Sequence, residues 1–215
     1  MGGLAGYFGN ATVDNCYTTG NISVSLTNSN SSSVGGFIAD NNGTANIINS
    51  YSRVNVTYGG TTLGTKIGSF FGSNDGNTTS NCYATGNITW TGGGDLDYVG
   101  GFVGRSLKGF SNCYTTGDVA GKQAGRVGGF VGEMAGGTIT NGYWNSDASQ
   151  TIDGTPRDAA GKKGVGTGTD NTTSLTNAQM AGSSGSANAL VDTLNTNKGD
   201  SNPTWYSLGA GFRCK

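Results

Sequence analysis

The chain has 215 residues, 41 of them glycine and none histidine, with 33% hydrophobic side chains and a net charge of −1. Without histidine, Ser-His-Asp and Cys-His catalysis and histidine-completed zinc shells are excluded, and 12 basic against 13 acidic residues supply no footprint for nucleic acid. No apolar run reaches the roughly 18 residues of a membrane-spanning helix, and aromatics recurring in register at low net charge argue against disorder.

From the first residues onward the chain repeats itself. A short apolar strand occurs as Gly3-Leu4-Ala5-Gly6, Gly36-Phe37-Ile38-Ala39, Ser69-Phe70-Phe71-Gly72, Gly101-Phe102-Val103-Gly104 and Gly129-Phe130-Val131-Gly132, at spacings of 33, 33, 32 and 28 residues. A second landmark, Asn15-Cys16-Tyr17, Asn49-Ser50-Tyr51, Asn81-Cys82-Tyr83, Asn112-Cys113-Tyr114 and Asn141-Gly142-Tyr143, drifts with it at 34, 32, 31 and 29. Two landmarks that drift together mark a true repeat. After a Thr-Gly turn the residues alternate polar and apolar, as in Asn21-Ile22-Ser23-Val24-Ser25-Leu26 and Asn87-Ile88-Thr89-Trp90, which predicts strands with one buried face. Arg53 replaces the turn glycine in the second copy, so that corner should be built differently.

A unit this small cannot bury its own apolar side, so successive copies must stack. The expected fold is all-β, a parallel β-solenoid (β-helix) of about five coils and a length of roughly 20–25 Å at the strand spacing. The organisation read from the sequence is solenoid repeats over 1–145, an irregular closing segment over 146–180, and a C-terminal helix and cap over 181–215. In that tail Ala187, Leu190, Val191 and Leu194 follow a helical period, with Ser186 as N-cap. The helix, with Trp205, Tyr206, Leu208 and Phe212, is expected to cap the open end of the stack. Met1 falls directly inside a repeat, which reads as a fragment whose methionine replaces earlier copies, or as a first coil that meets a partner.

Val-Gly-Gly-Phe-Val-Gly at 99–104 and 127–132, with Asn-Cys-Tyr-Ala-Thr-Gly at 81–86 and Asn-Cys-Tyr-Thr-Thr-Gly at 112–117, resembles the GLUG motif of bacterial and archaeal surface proteins. The likeness continues through Gly142-Tyr143-Trp144-Asn145, Gly164 to Gly168 and Ser174 to Met180, a segment similar to the one that closes such arrays. The resemblance implies an extracellular or cell-surface protein, adhesin-like in character. Some proteins with such arrays are IgA-cleaving zinc peptidases, whose catalytic motif is missing here.

Several side chains are candidates for more than packing. Cys82 and Cys113 should lie one coil apart, within disulfide reach, although parallel side chains disfavour the torsion and buried thiols are the preferred reading. The Asn column suggests a coil-to-coil amide ladder, and the Tyr column a stack. Trp90, Asp95, Asp97 and Tyr98 form the best polar-aromatic group, a candidate ligand-binding loop for surface glycans. Asn-x-Ser/Thr sequons at Asn10, Asn21, Asn30, Asn42, Asn55, Asn77, Asn87 and Asn171 permit glycosylation. No catalytic residue, metal site or cofactor is assigned. The expected function is a non-enzymatic structural or adhesive repeat module; the alternatives are a carbohydrate-binding module using the 90–98 loop and a filament subunit stacked end to end through its N-terminal coil. Surface glycans and proteins of a host or partner cell are the partners this reading admits.

Overall fold

Short runs with one inward apolar residue in two, interrupted by glycine and asparagine, leave the chain no structure but brief strands and corners. The computed structural model describes residues 1–27, 31–61, 63–92, 97–182, 185, 189–207 and 212–214. The first coil contains β1 (Ala5–Gly9), β2 (Thr12–Asp14) and β3 (Tyr17–Leu26). Every later coil lays the equivalent strands beside them in parallel. The register Ala5↔Ile38↔Phe71↔Val103↔Val131 reproduces the sequence spacings of the first landmark. Tyr17↔Tyr51↔Tyr83↔Tyr114↔Tyr143 does the same for the second. The chain is therefore a parallel β-solenoid of about five coils.

Inside the stack, Phe37, Phe70, Phe102 and Phe130 are fully buried, with ring centroids 4.6, 4.7 and 5.0 Å apart along one file. That interval matches the spacing of neighbouring strands, so each ring stacks on the next without strain. A second apolar file, including Val34, Ile67, Val99 and Val127, fills the other side of the interior.

Asn15, Asn49, Asn81, Asn112 and Asn141 all have φ between 51° and 54°. Asparagine tolerates this left-handed conformation better than other residues with a Cβ, and that explains its recurrence at one corner. The expected amide ladder exists only in part: Asn112 Nδ2 donates to Asn81 Oδ1 at 2.6 Å, while Asn49 Nδ2 donates to Asp14 Oδ1 at 2.9 Å. The Arg53 corner does not stand apart as expected: Tyr51–Gly60 is one unbroken strand, but so is Tyr17–Leu26 with Gly20 at its turn, and it is the third coil that splits, into Tyr83–Ala84 and Ile88–Trp90.

The closing segment is more regular than its sequence suggests. Val165–Thr167 pairs with the strand at 131–133, and Thr172–Leu175 pairs with that at 142–145, adding a partial further coil beyond residue 145. Inward Val165 and Leu175, both buried, are what extend the ladder.

Two helices follow, α1 (Asn177–Met180), held by a capping box between Thr176 and Gln179, and α2 (Leu190–Asn197). Ala189, not Ser186, is the N-cap of α2; Ser186 and Ala187 lie outside the described residues. Nor does α2 cover the end of the stack. Leu190, Val191 and Leu194 pack with Trp205 against Tyr83, Tyr114 and Tyr143, along the side of the coils. Carbonyls at its C-terminal end, where intrahelical donors run out, accept from the corner asparagines: Leu194 O from Asn112 Nδ2 at 3.1 Å and Lys198 O from Asn81 Nδ2 at 3.3 Å, the latter shared with Asn202 Nδ2.

Candidate functional site

The loop expected to bind ligand turns part of its chemistry inward. Asp97 is only 3% exposed, and its Oδ1 accepts the Thr65 backbone N–H at 2.8 Å. Thr65 Oγ1 in turn meets the Tyr58 hydroxyl at 3.1 Å, both residues being fully buried. Burial pushes the Asp97 carboxyl up to about 6. Tyr98 is half-buried, and the Arg126 guanidinium sits 4.3 Å from its ring centroid, so one face of the ring is already occupied. Trp90 is half-buried with its indole nitrogen enclosed, and Asp95 lies outside the described residues. The described part of the loop is thus a clasp between coils: Asp97 holds the second loop to the third, and Arg126 holds the third to the fourth.

Other carboxylates join neighbouring coils or close a local turn. Asp118 accepts from Ser149 N, Asp147 from Asn177 N and Asp158 from Gly161 N, each at 2.7 Å. Asp170 receives the N–H groups of Gly164, Val165 and Thr172. Glu133 pairs with Arg105 at 2.7 Å. Among the described residues, no three Cys, Asp or Glu side chains gather where they could hold a metal ion.

Cys82 and Cys113 are not joined by a disulfide. Each Sγ turns instead to a carbonyl of its own coil, Cys82 to Ser80 O and Cys113 to Ser111 O, both at 3.2 Å. In-register parallel side chains do not supply the torsion that a disulfide needs.

A second polar column escaped the sequence reading. Asn55 Oδ1 accepts from Asn87 N at 2.9 Å, Asn87 Oδ1 from Asp118 N at 2.9 Å, and Asn55 Nδ2 donates to Asn21 Oδ1 at 3.0 Å. Asn21, Asn55 and Asn87 are three of the eight sequon asparagines. Their pattern has a structural cause: asparagine bonds to the neighbouring coil, the next residue points into the core, and the following Ser or Thr points out. The signal was present in the sequence as Asn-Ile-Ser, Asn-Val-Thr and Asn-Ile-Thr at one repeat position. Of the other sequons, Asn10 Oδ1 accepts from Thr44 N, Asn42 Oδ1 accepts from Gly43 N, Asn77 and Asn171 are exposed, and Asn30 lies outside the described residues.

The tyrosine column is a stack, with centroids 5.1, 4.7 and 4.9 Å apart from Tyr17 to Tyr114. Trp205 closes on it, 5.8 Å from both Tyr83 and Tyr114. At its N-terminal end Tyr17 is 62% exposed. A cavity of about 410 Å³ opens beside that ring, lined in part by Gly3, Thr18, Asn21, Ile22 and Val54.

Stacked registers and aromatic files define the class, a β-solenoid repeat protein. Comparison with family models, with curated proteins and with solved structures finds no match to this chain.

Proposed function

We propose that the chain is a non-enzymatic structural or adhesive repeat module of a secreted or cell-surface protein. One observation carries this reading: the repeated polar side chains are spent on joining one coil to the next. The corner asparagines, the Asn21–Asn55–Asn87 column, Asp97 and the Arg105–Glu133 pair all bridge coils or serve turns. Such a scaffold is stiff along its axis and leaves variation to loops, where recognition by repeat proteins is commonly sited. The GLUG resemblance supports a surface setting, with glycans or proteins of a partner cell as what an adhesive module would meet.

A glycan array probed with the wild-type chain and with Trp90→Ala tests the reading. The structural role expects no glycan signal from either. A signal that Trp90→Ala abolishes would replace it with a carbohydrate-binding module working through the 90–98 loop.

A further inference from the structure

Tyr58 and Trp90 hold the same place in successive coils. The register pairs them directly, and both pack into the apolar file that contains Val56 and Ile88. Thr65 and Asp97 share a second place, because Lys66 pairs with Tyr98 and the Thr65 carbonyl accepts the Tyr98 N–H at 2.8 Å. The second coil ties its two members together, the Tyr58 hydroxyl meeting Thr65 Oγ1 at 3.1 Å. The third coil carries different side chains at the same two places and does not tie them. Trp90 Nε1 and Asp97 Oδ2 are both enclosed, and neither has a hydrogen-bond partner.

Reach explains the difference. An indole nitrogen stands nearer its own Cβ than a tyrosine hydroxyl does, so Trp90 in the place of Tyr58 stops short of the group facing it. Neighbouring coils do not make up the loss. From the second coil, the Thr65 N–H is already given to Asp97 Oδ1 at 2.8 Å. In the fourth coil both places are glycine, Gly121 and Gly125, as counted from Ile88↔Val119 and Val99↔Val127. A buried donor and a buried acceptor are thus turned toward each other from adjoining corners of one coil. Left so, each would lose its bonds to solvent on folding and gain none in return.

We infer that Trp90 and Asp97 enclose a binding site for a single water molecule, which accepts from the Trp90 indole N–H and donates to Asp97 Oδ2. The chemistry of the two groups selects this ligand. A cation is refused by the indole N–H, which can only donate, and an anion by the carboxylate. Water is small, neutral, and both accepts and donates. Internal waters ordinarily make about three hydrogen bonds, and the Tyr58 hydroxyl, which also faces Asp97, is the third group within the site. Arg126 of the fourth coil is the charged group that bears on the carboxylate. Through this water the third coil keeps the bridge that the second coil makes directly, at the cost of one bound molecule.

Water-to-protein cross-relaxation, measured by NMR on the intact chain, tests the site. The Trp90 indole proton is identified by its absence from Trp90→Phe, and it should show contact with a long-lived water. Trp90→Tyr restores the side chain of the second coil. Its hydroxyl should reach Asp97 directly, expel the water and lower the Asp97 titration midpoint by about half a pH unit or more. Trp90→Phe removes the donor and should raise that midpoint by a similar amount. An indole proton without a water contact, or an Asp97 titration identical in all three proteins, overturns the inference.

Discussion

The first coil and the last, partial coil are the two outer rungs of the described stack, yet their chemistry differs. Residues 1–26 present apolar side chains and bare strand edges with one charge among them, whereas residues 146–175 contain seven charged residues, a proline and a strand that doubles back. Arg157 and Asp170 hold that last turn shut through backbone groups that would otherwise lie open. The contrast teaches what interrupting a solenoid takes, a strand that doubles back and side chains bonded to backbone groups, where a regular repeat keeps an edge ready for another coil.

The sharpest way to break this contrast is to remove the large apolar side chain of the same file from interior and edge. Phe102 lies between Phe70 and Phe130 and meets Phe110 edge-on at 5.4 Å. Phe102→Ala should cost about 3–5 kcal/mol in denaturant unfolding, and Leu4→Ala less than about 1 kcal/mol, since little of that side chain leaves water. Equal losses would refute the distinction. Next in size, Asn112→Ala forces an alanine to φ 54° and removes the donors to Asn81 and Leu194. A loss of about 2–3 kcal/mol is expected there, against about 1 kcal/mol for Asn15→Ala, where the strained φ is the main cost. Asp170→Ala should cost about 1–2 kcal/mol by freeing the N–H groups of Gly164, Val165 and Thr172.

The smallest effect concerns pH. Because burial raises the Asp97 carboxyl from 3.8 to about 6, the folded chain prefers it protonated. Its contribution is fully present below pH about 4 and fades as pH rises through about 6. Relative to wild type, Asp97→Asn should therefore be more stable at neutral pH and should lose this part of the pH dependence. Thermal melts of both proteins at several pH values measure it, and parallel curves would place the carboxyl in water.

The stacked fold was legible because Phe37, Phe70, Phe102 and Phe130 cannot recur at drifting intervals unless something holds them in line. The role of Asn15, Asn49, Asn81, Asn112 and Asn141 was harder to read. A recurring asparagine looks the same in sequence whether its side chain or its backbone conformation is required, and here both contribute. The periodicity of Leu190, Val191 and Leu194 marked a helix with one buried face but could not say against what; the tyrosine flank offered more apolar area than the charged end of the stack. Asp97 was misplaced for a related reason. A carboxylate between aromatics reads as a sugar contact in an open loop, and only the fold shows that Thr65 reaches it first.

The drift in repeat length, from 33 residues down to 28, leaves the parallel ladder unbroken because connecting segments absorb it. Reach along the axis is thus counted in turns of the coil and not in residues. Chain inserted at those connections widens the particle without lengthening it, so new surface can be added at constant height.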